Sequence, residues 1–182
     1  GDRRIRGENR GSAETAVLLE GKVAIVSGLG PGLGRDVALA LAREGADVEM
    51  GARRERRMAA VAAEIEAMGR RAVCVPTDIT RREDCERLAR TTAGELGRVD
   101  VVVNNAFNDG NHRSFEDGDL DEWRATFEVN LWGTLQLTRA VLPHIKRQDD
   151  SRVIMINTMS IQLVEPNFGA YAATKAALAM AT

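Results

Sequence analysis

The stretch "KVAIVSGLGPGLGRDVALALAREG" (residues 22–45) decides how the rest of the chain is read. Residues 22–27 form a continuous apolar run, the pattern of a short strand buried on both faces. Glycines crowd the next positions. From residue 34 the apolar positions recur with helical spacing, and Gly45 supplies a helix C-terminal stop. The turn lacks GxGxxG but fits GxxxGxG through Gly28, Gly32 and Gly34. Glycines at such a turn let backbone approach a pyrophosphate, whose charge the following helix N-terminus stabilises. A plain tight turn is the alternative, but a strand before and a helix after favour a nucleotide site.

The alternation continues. Residues 46–52, 71–76, 98–106 and 151–160 read as further strands, and each strand is followed by a helical stretch. The third helix is expected to be capped by Thr80. A long helix is predicted over 120–145 with Asp119 as N-cap, and the last helix opens near Gly169. Repeated βαβ units imply a doubly wound parallel sheet between two helical layers, a three-layer α/β/α sandwich. Residues 1–17 read as a disordered polar tail and 18–182 as one dinucleotide-binding domain.

Composition excludes several classes. Net charge is −2 over 182 residues, so no global field recruits nucleic acid or an anionic membrane. No run approaches the roughly eighteen apolar residues of a membrane span. Cys74 and Cys85 lack metal-ligand or CxxC spacing and read as free thiols in a reducing compartment, the cytoplasm. His112 and His144 have no paired ligands, so no metal is expected.

The second predicted strand ends in "GARR" (51–54). An acid at that tip would hydrogen-bond the adenosine ribose of NAD, but here Ala52 stands in its place. Arg53 and Arg54 follow, and guanidinium groups suit a 2′-phosphate, so NADP(H) is the expected cofactor, with NAD(H) possible. The plainer alternative makes these arginines the start of a solvated basic helix face.

Taken together, several segments resemble the short-chain dehydrogenase/reductase family, from about residue 19 to the last. "SGLGPGLG" (27–34) is similar to its TGxxxGxG motif, with Ser27 in place of threonine. "TDIT" (77–80) resembles its adenine contact and "NNAF" (104–107) its NNAG. "VNLWGT" (129–134) carries an asparagine, "NTMS" (157–160) a serine, and "YAATK" (171–175) matches YxxxK. The resemblance implies a Rossmann fold of strand order 3-2-1-4-5 with the family's later strands missing, and a hydride transfer between a nicotinamide cofactor and a carbonyl or secondary alcohol. It places Ser27, Gly28, Gly30, Pro31, Gly32, Leu33, Gly34, Asp78, Ile79, Asn105, Ala106 and Phe107 at the cofactor, beside Arg53 and Arg54. Asn104 would brace the sheet.

By the same resemblance Tyr171 is the general acid/base, and Lys175 lowers its pKa and holds the nicotinamide ribose. Ser160 bonds the substrate oxygen, and Asn130 holds a water of the proton relay. Residues four apart on a helix share a face, so Tyr171 and Lys175 can enter one cleft. Asn130 alone could equally bond backbone within its helix. Phe107 departs from the family's glycine and Pro31 stiffens the turn. Leu163, Val164, Phe168 and Phe107 suggest an apolar small-molecule substrate. A homodimer or homotetramer is expected, packed through helix 120–145 and the helix from Gly169. A non-catalytic redox sensor, or an inactive fragment of the enzyme, is the alternative.

Overall fold

The computed structural model describes residues 17–163 and 165–182; the expected tail over 1–16 and Val164 lie outside the described residues. Five parallel strands run in the order β3-β2-β1-β4-β5: β1 (Val23–Ser27), β2 (Asp47–Ala52), β3 (Ala72–Pro76), β4 (Val101–Asn104) and β5 (Arg152–Met155). Helices α1 (Leu33–Arg43), α2 (Glu55–Ala67) and α3 (Arg82–Glu95) follow the first three strands. After β4 come α4 (Leu120–Phe127), a π-helical segment (Glu128–Gly133) and α5 (Thr134–Ile145); α6 (Gly169–Met180) follows β5.

Alternation along each strand sends side chains to opposite faces, and both faces are covered. Ala24, Val26, Val48 and Met50 pack with Leu39 of α1 and Met58 and Ile65 of α2. Ile25, Val75 and Val102 pack with Leu88 of α3 and Leu137, Val141 and Ile145 of α5. The helical residues recur every three or four positions, which gives each helix one apolar stripe. Burying each large one stabilises the fold by about 1.5–3 kcal/mol. At the opposite sheet edge β5 is thinly covered, with Val153 and Ile154 about two-fifths exposed.

Several details differ from the sequence reading. β4 stops at Asn104 because the Ser27 hydroxyl accepts from Asn105 N (3.2 Å) and Ala106 N (3.4 Å), drawing both N–H groups away from the ladder. β5 ends at Met155, and a 3₁₀ turn (Met159–Ile161) forms where strand was expected. The 120–145 helix keeps its course, with Asp119 capping Asp121 N at 2.8 Å, but its middle widens into the π segment. Thr80 does not cap α3. Arg81 occupies the cap without a side-chain bond, and the Thr80 hydroxyl donates to Asp78 Oδ1 at 2.7 Å.

One buried group stands out from the packing. Glu49 of β2 points toward α3 beside Thr92, is fully buried, and neither carboxylate oxygen has a hydrogen-bond partner among the described residues. Desolvation pushes its pKa up to about 8; the Thr92 hydroxyl opposes the rise and the Glu95 charge adds to it.

Candidate active site

The glycine turn is built by close backbone approach. Asn105 Nδ2 donates to Gly28 O at 2.7 Å, and Ser27 Oγ donates to Val103 O at 3.3 Å, tying the ends of β1 and β4 together. Gly28 has φ +81°, and a Cβ there would lie 2.5 Å from the Ala106 Cα. A side chain at Gly34 would collide with the Gly28 carbonyl. At Gly30 and Gly32 the corresponding space is open, and Gly32 caps α1 without a side-chain bond. Gly28→Ala combines left-handed backbone with a backbone collision. It should cost about 3 kcal/mol, read as a lower denaturant midpoint together with weaker dinucleotide binding.

A cleft of about 630 Å³ runs along the carboxyl ends of the strands. Gly28, Gly30 and Pro31 form its floor. Arg53 and Arg54, Asp78 and Ile79, and Asn105, Ala106 and Phe107 also line it. Ser27 sits beneath the cleft, fully buried, and Gly32, Leu33 and Gly34 form the start of α1. Open glycine faces and an uncapped helix N-terminus fit a pyrophosphate, and the arginine-lined end fits a further phosphate. Sequence reading missed Arg57, Asn108 and Asp109, which also line the cleft. Arg57 stands one helical turn past Arg54 and was legible as such; the other two sit in an irregular loop without periodicity.

The residues expected to do chemistry gather at the cleft's mouth. Tyr171, in the first turn of α6, is half-buried and meets the Phe107 and Phe168 rings edge-on, at 6.2 and 6.4 Å between centroids. The start of α6 rests on the Trp123 indole, and a side chain at Gly169 would press on that ring at 3.1 Å. Lys175 is buried on the same helix, its Nζ donating to Ile156 O at 2.7 Å and lying 5.9 Å from the Tyr171 ring centre. Ser160 Oγ shares a 3.2 Å hydrogen bond with Thr158 Oγ1 and donates to Glu165 Oε2 at 3.3 Å.

Asn130 lies in the π segment and is fully buried. Its Oδ1 accepts from Asn108 N at 2.7 Å, and its Nδ2 donates to Asn108 O (2.8 Å) and Thr174 Oγ1 (3.0 Å). The side chain thus clamps the cleft loop to α6. Asn104 braces the sheet end as expected, donating to Thr138 Oγ1 at 3.1 Å.

The electrostatics differ from expectation at one point. The Tyr171 phenol is held above its ordinary value, by burial first and by the Asp109 charge; the Thr158 hydroxyl pulls the other way. Burial holds Lys175 below its ordinary value. Burial of the phenol outweighs any help it receives, and the nearby Lys175 ammonium donates one hydrogen bond to the Ile156 carbonyl. Cys74 and Cys85 are free thiols, both raised by burial, Cys85 to about 12, so neither is a ready nucleophile. Among the described residues no three His, Cys, Asp or Glu side chains converge as a metal site, and no helix is long and apolar enough to cross a membrane.

The short chain dehydrogenase family model matches residues 22–182, and the chain belongs to that family. It is 38% identical to a short chain dehydrogenase of Pseudocercospora fijiensis, over 88% of this chain and 52% of that protein. It is 36% identical to the glycine betaine reductase ATRR of Emericella nidulans, over 86% of this chain and 12% of that much longer protein. Its fold superposes on a 7α-hydroxysteroid dehydrogenase complexed with NADH and 7-oxo glycochenodeoxycholic acid. That likeness has TM-score 0.85 and 30% identity, and covers 91% of this chain and 64% of the other. The chain therefore spans about half or less of the curated relatives named here.

Proposed function

We propose that residues 18–182 are the dinucleotide-binding and catalytic part of a cytoplasmic NADP(H)-dependent oxidoreductase that interconverts a carbonyl and a secondary alcohol. The observation that carries this is Tyr171 standing edge-on to Phe107 of a cleft lined by the glycine turn, with the Lys175 Nζ 5.9 Å from its ring centre. Bound along that cleft, NADP(H) would supply or accept the hydride. Tyr171 would pass the proton to or from the substrate oxygen, and Ser160, once turned from Glu165, would donate to the same oxygen. An ammonium has three donors and Lys175 uses one on Ile156, which leaves two for the cofactor's ribose. Asn130 clamps the loop through its side chain and, by the family resemblance, would hold a water of the proton relay. The free cysteines support the reducing compartment.

For the cofactor's phosphates, Gly28, Gly30, Pro31, Gly32, Leu33 and Gly34 supply backbone; Asp78, Ile79, Asn105, Ala106 and Phe107 enclose the rest. Arg53 and Arg54, with Arg57 beside them, support NADP(H) over NAD(H). Initial rates with NADPH and NADH over a panel of carbonyls test the reading. NADPH should be preferred, and Arg53→Ala should cut that preference about 10- to 100-fold while NADH rates stay level, the loss of one charge-assisted contact. A strong NADH preference in the unaltered chain would sink the assignment.

A homodimer or homotetramer is part of the proposal. Leu120 and Trp132, each more than half exposed, border a small apolar groove with Trp123 and Phe127 on the helix expected to pack across subunits. Relatives named for glycine betaine and for a hydroxysteroid show that family membership does not choose the substrate.

A further inference from the structure

Two hydroxyls follow β5, and the fold places them unequally. Residues 156–158 are laced to α6 one turn past Tyr171: Lys175 Nζ donates to Ile156 O at 2.7 Å, and Asn157 Nδ2 donates to Lys175 O at 3.2 Å. Thr158 comes next, with extended backbone, and its hydroxyl is hydrogen-bonded to the Tyr171 phenol. Two further contacts fix that hydroxyl. Ser160 N donates to Thr158 Oγ1 at 3.2 Å, and the two hydroxyl oxygens lie 3.2 Å apart. Ser160 stands one hydrogen bond farther from the phenol, and its own proton goes to the exposed Glu165, Oε2 at 3.3 Å.

A carbonyl oxygen carries two lone pairs and accepts two hydrogen bonds. Two hydroxyls that bond each other can both lie about 3 Å from one such oxygen, and the phenol and Thr158 are such a pair. Ser160 has one proton and would have to release Glu165 before giving it to the substrate. Thr158 has only to turn its proton from the phenol to the arriving oxygen, while Ser160 N continues to hold Oγ1 in place. As hydride reaches the carbonyl carbon, the C=O electron pair moves onto oxygen, Tyr171 gives that oxygen its proton, and Thr158 keeps its own and stabilises the developing charge. We propose that Thr158, ahead of Ser160, is the catalytic hydroxyl that bonds the substrate oxygen beside Tyr171. This rests on the reductase reading for the place of that oxygen.

Three variants test this. Thr158→Val removes the hydroxyl and keeps the branched shape, Thr158→Ser keeps the hydroxyl, and Ser160→Ala removes the outer one. NADPH oxidation is followed with whichever ketone the unaltered chain reduces fastest, in a panel running from cyclohexanone to steroid ketones. Thr158→Val should lower kcat about 10²- to 10³-fold, Thr158→Ser should restore it, and Ser160→Ala should cost less than about tenfold. NADPH affinity should stay level in all three. Tyr171 is the only tyrosine of the chain, so phenolate absorbance in stopped-flow pH jumps titrates it alone. Thr158→Val should move that titration to higher pH, because a hydrogen bond to the phenolate is lost, and Ser160→Ala should leave it in place. A large loss in Ser160→Ala beside near-normal Thr158→Val overturns the assignment and leaves the reductase reading standing. An unmoved titration in Thr158→Val, or an inactive Thr158→Ser, overturns it as well. If the unaltered chain reduces no ketone of the panel, the reductase reading falls and the assignment falls with it.

Discussion

Tyr171→Phe should lower kcat for carbonyl reduction by about 10²- to 10⁴-fold, the usual contribution of a positioned acid. NADPH binding should stay nearly unchanged. The substitution removes one oxygen and keeps the ring, so the edge contacts to Phe107 and Phe168 survive. The glycine turn and Arg53 lie elsewhere in the cleft. Single-turnover kinetics beside fluorescence titration of NADPH separate the two effects, and near-normal turnover would overturn the mechanism. The phenol's raised pKa sets a direction as well. Near neutrality Tyr171 is protonated, ready to give a proton to a reduced carbonyl. Alcohol oxidation needs the phenolate, so its rate should climb with pH towards and beyond 10, while reduction stays level through neutrality.

Glu49 carries the second large effect, on stability. Its folded pKa is about 8, well above the 4.5 of an ordinary glutamate. The folded state therefore keeps a proton that the unfolded chain releases. Stability from this group is complete below about pH 4.5, falls as pH rises, and is lost above about 8. The full span is about 5 kcal/mol at most, since one pKa unit corresponds to about 1.4 kcal/mol. Glu49→Met removes the ionisation and suits the surrounding Ile25, Val75 and Leu88. Urea midpoints at pH 5 and pH 8 should show the unaltered chain losing stability and the variant holding level. A difference between the two that does not change with pH would refute the assignment.

Local pattern made much of the fold legible. Alternating apolar runs and helical stripes specified five strands, their helices and a parallel sheet, because burial on both faces leaves a period that can be counted. The glycine turn and YxxxK were readable for the same reason, since their spacing is their geometry. Boundaries fared worse where a side chain took over a backbone group. Ser27 ends β4 from across the sheet, and Asp78 claims the hydroxyl of Thr80. The π segment left no trace in the 120–145 periodicity, yet it holds the buried Asn130 that fastens α6 to the cleft loop.

The succession of strands and helices along the chain, the glycine turn and the presence of a tyrosine–lysine pair follow from residue types at short range. What those groups do to one another came only with the folded chain. Lys175 and Tyr171 share a helix face by spacing, but only the fold shows the lysine buried and donating to the Ile156 carbonyl. Glu49 could be read as a misplaced surface acid until the sheet enclosed it. Ionisation and substrate contact depend on distance and burial, and those are properties of the assembled structure rather than of spacing along the chain.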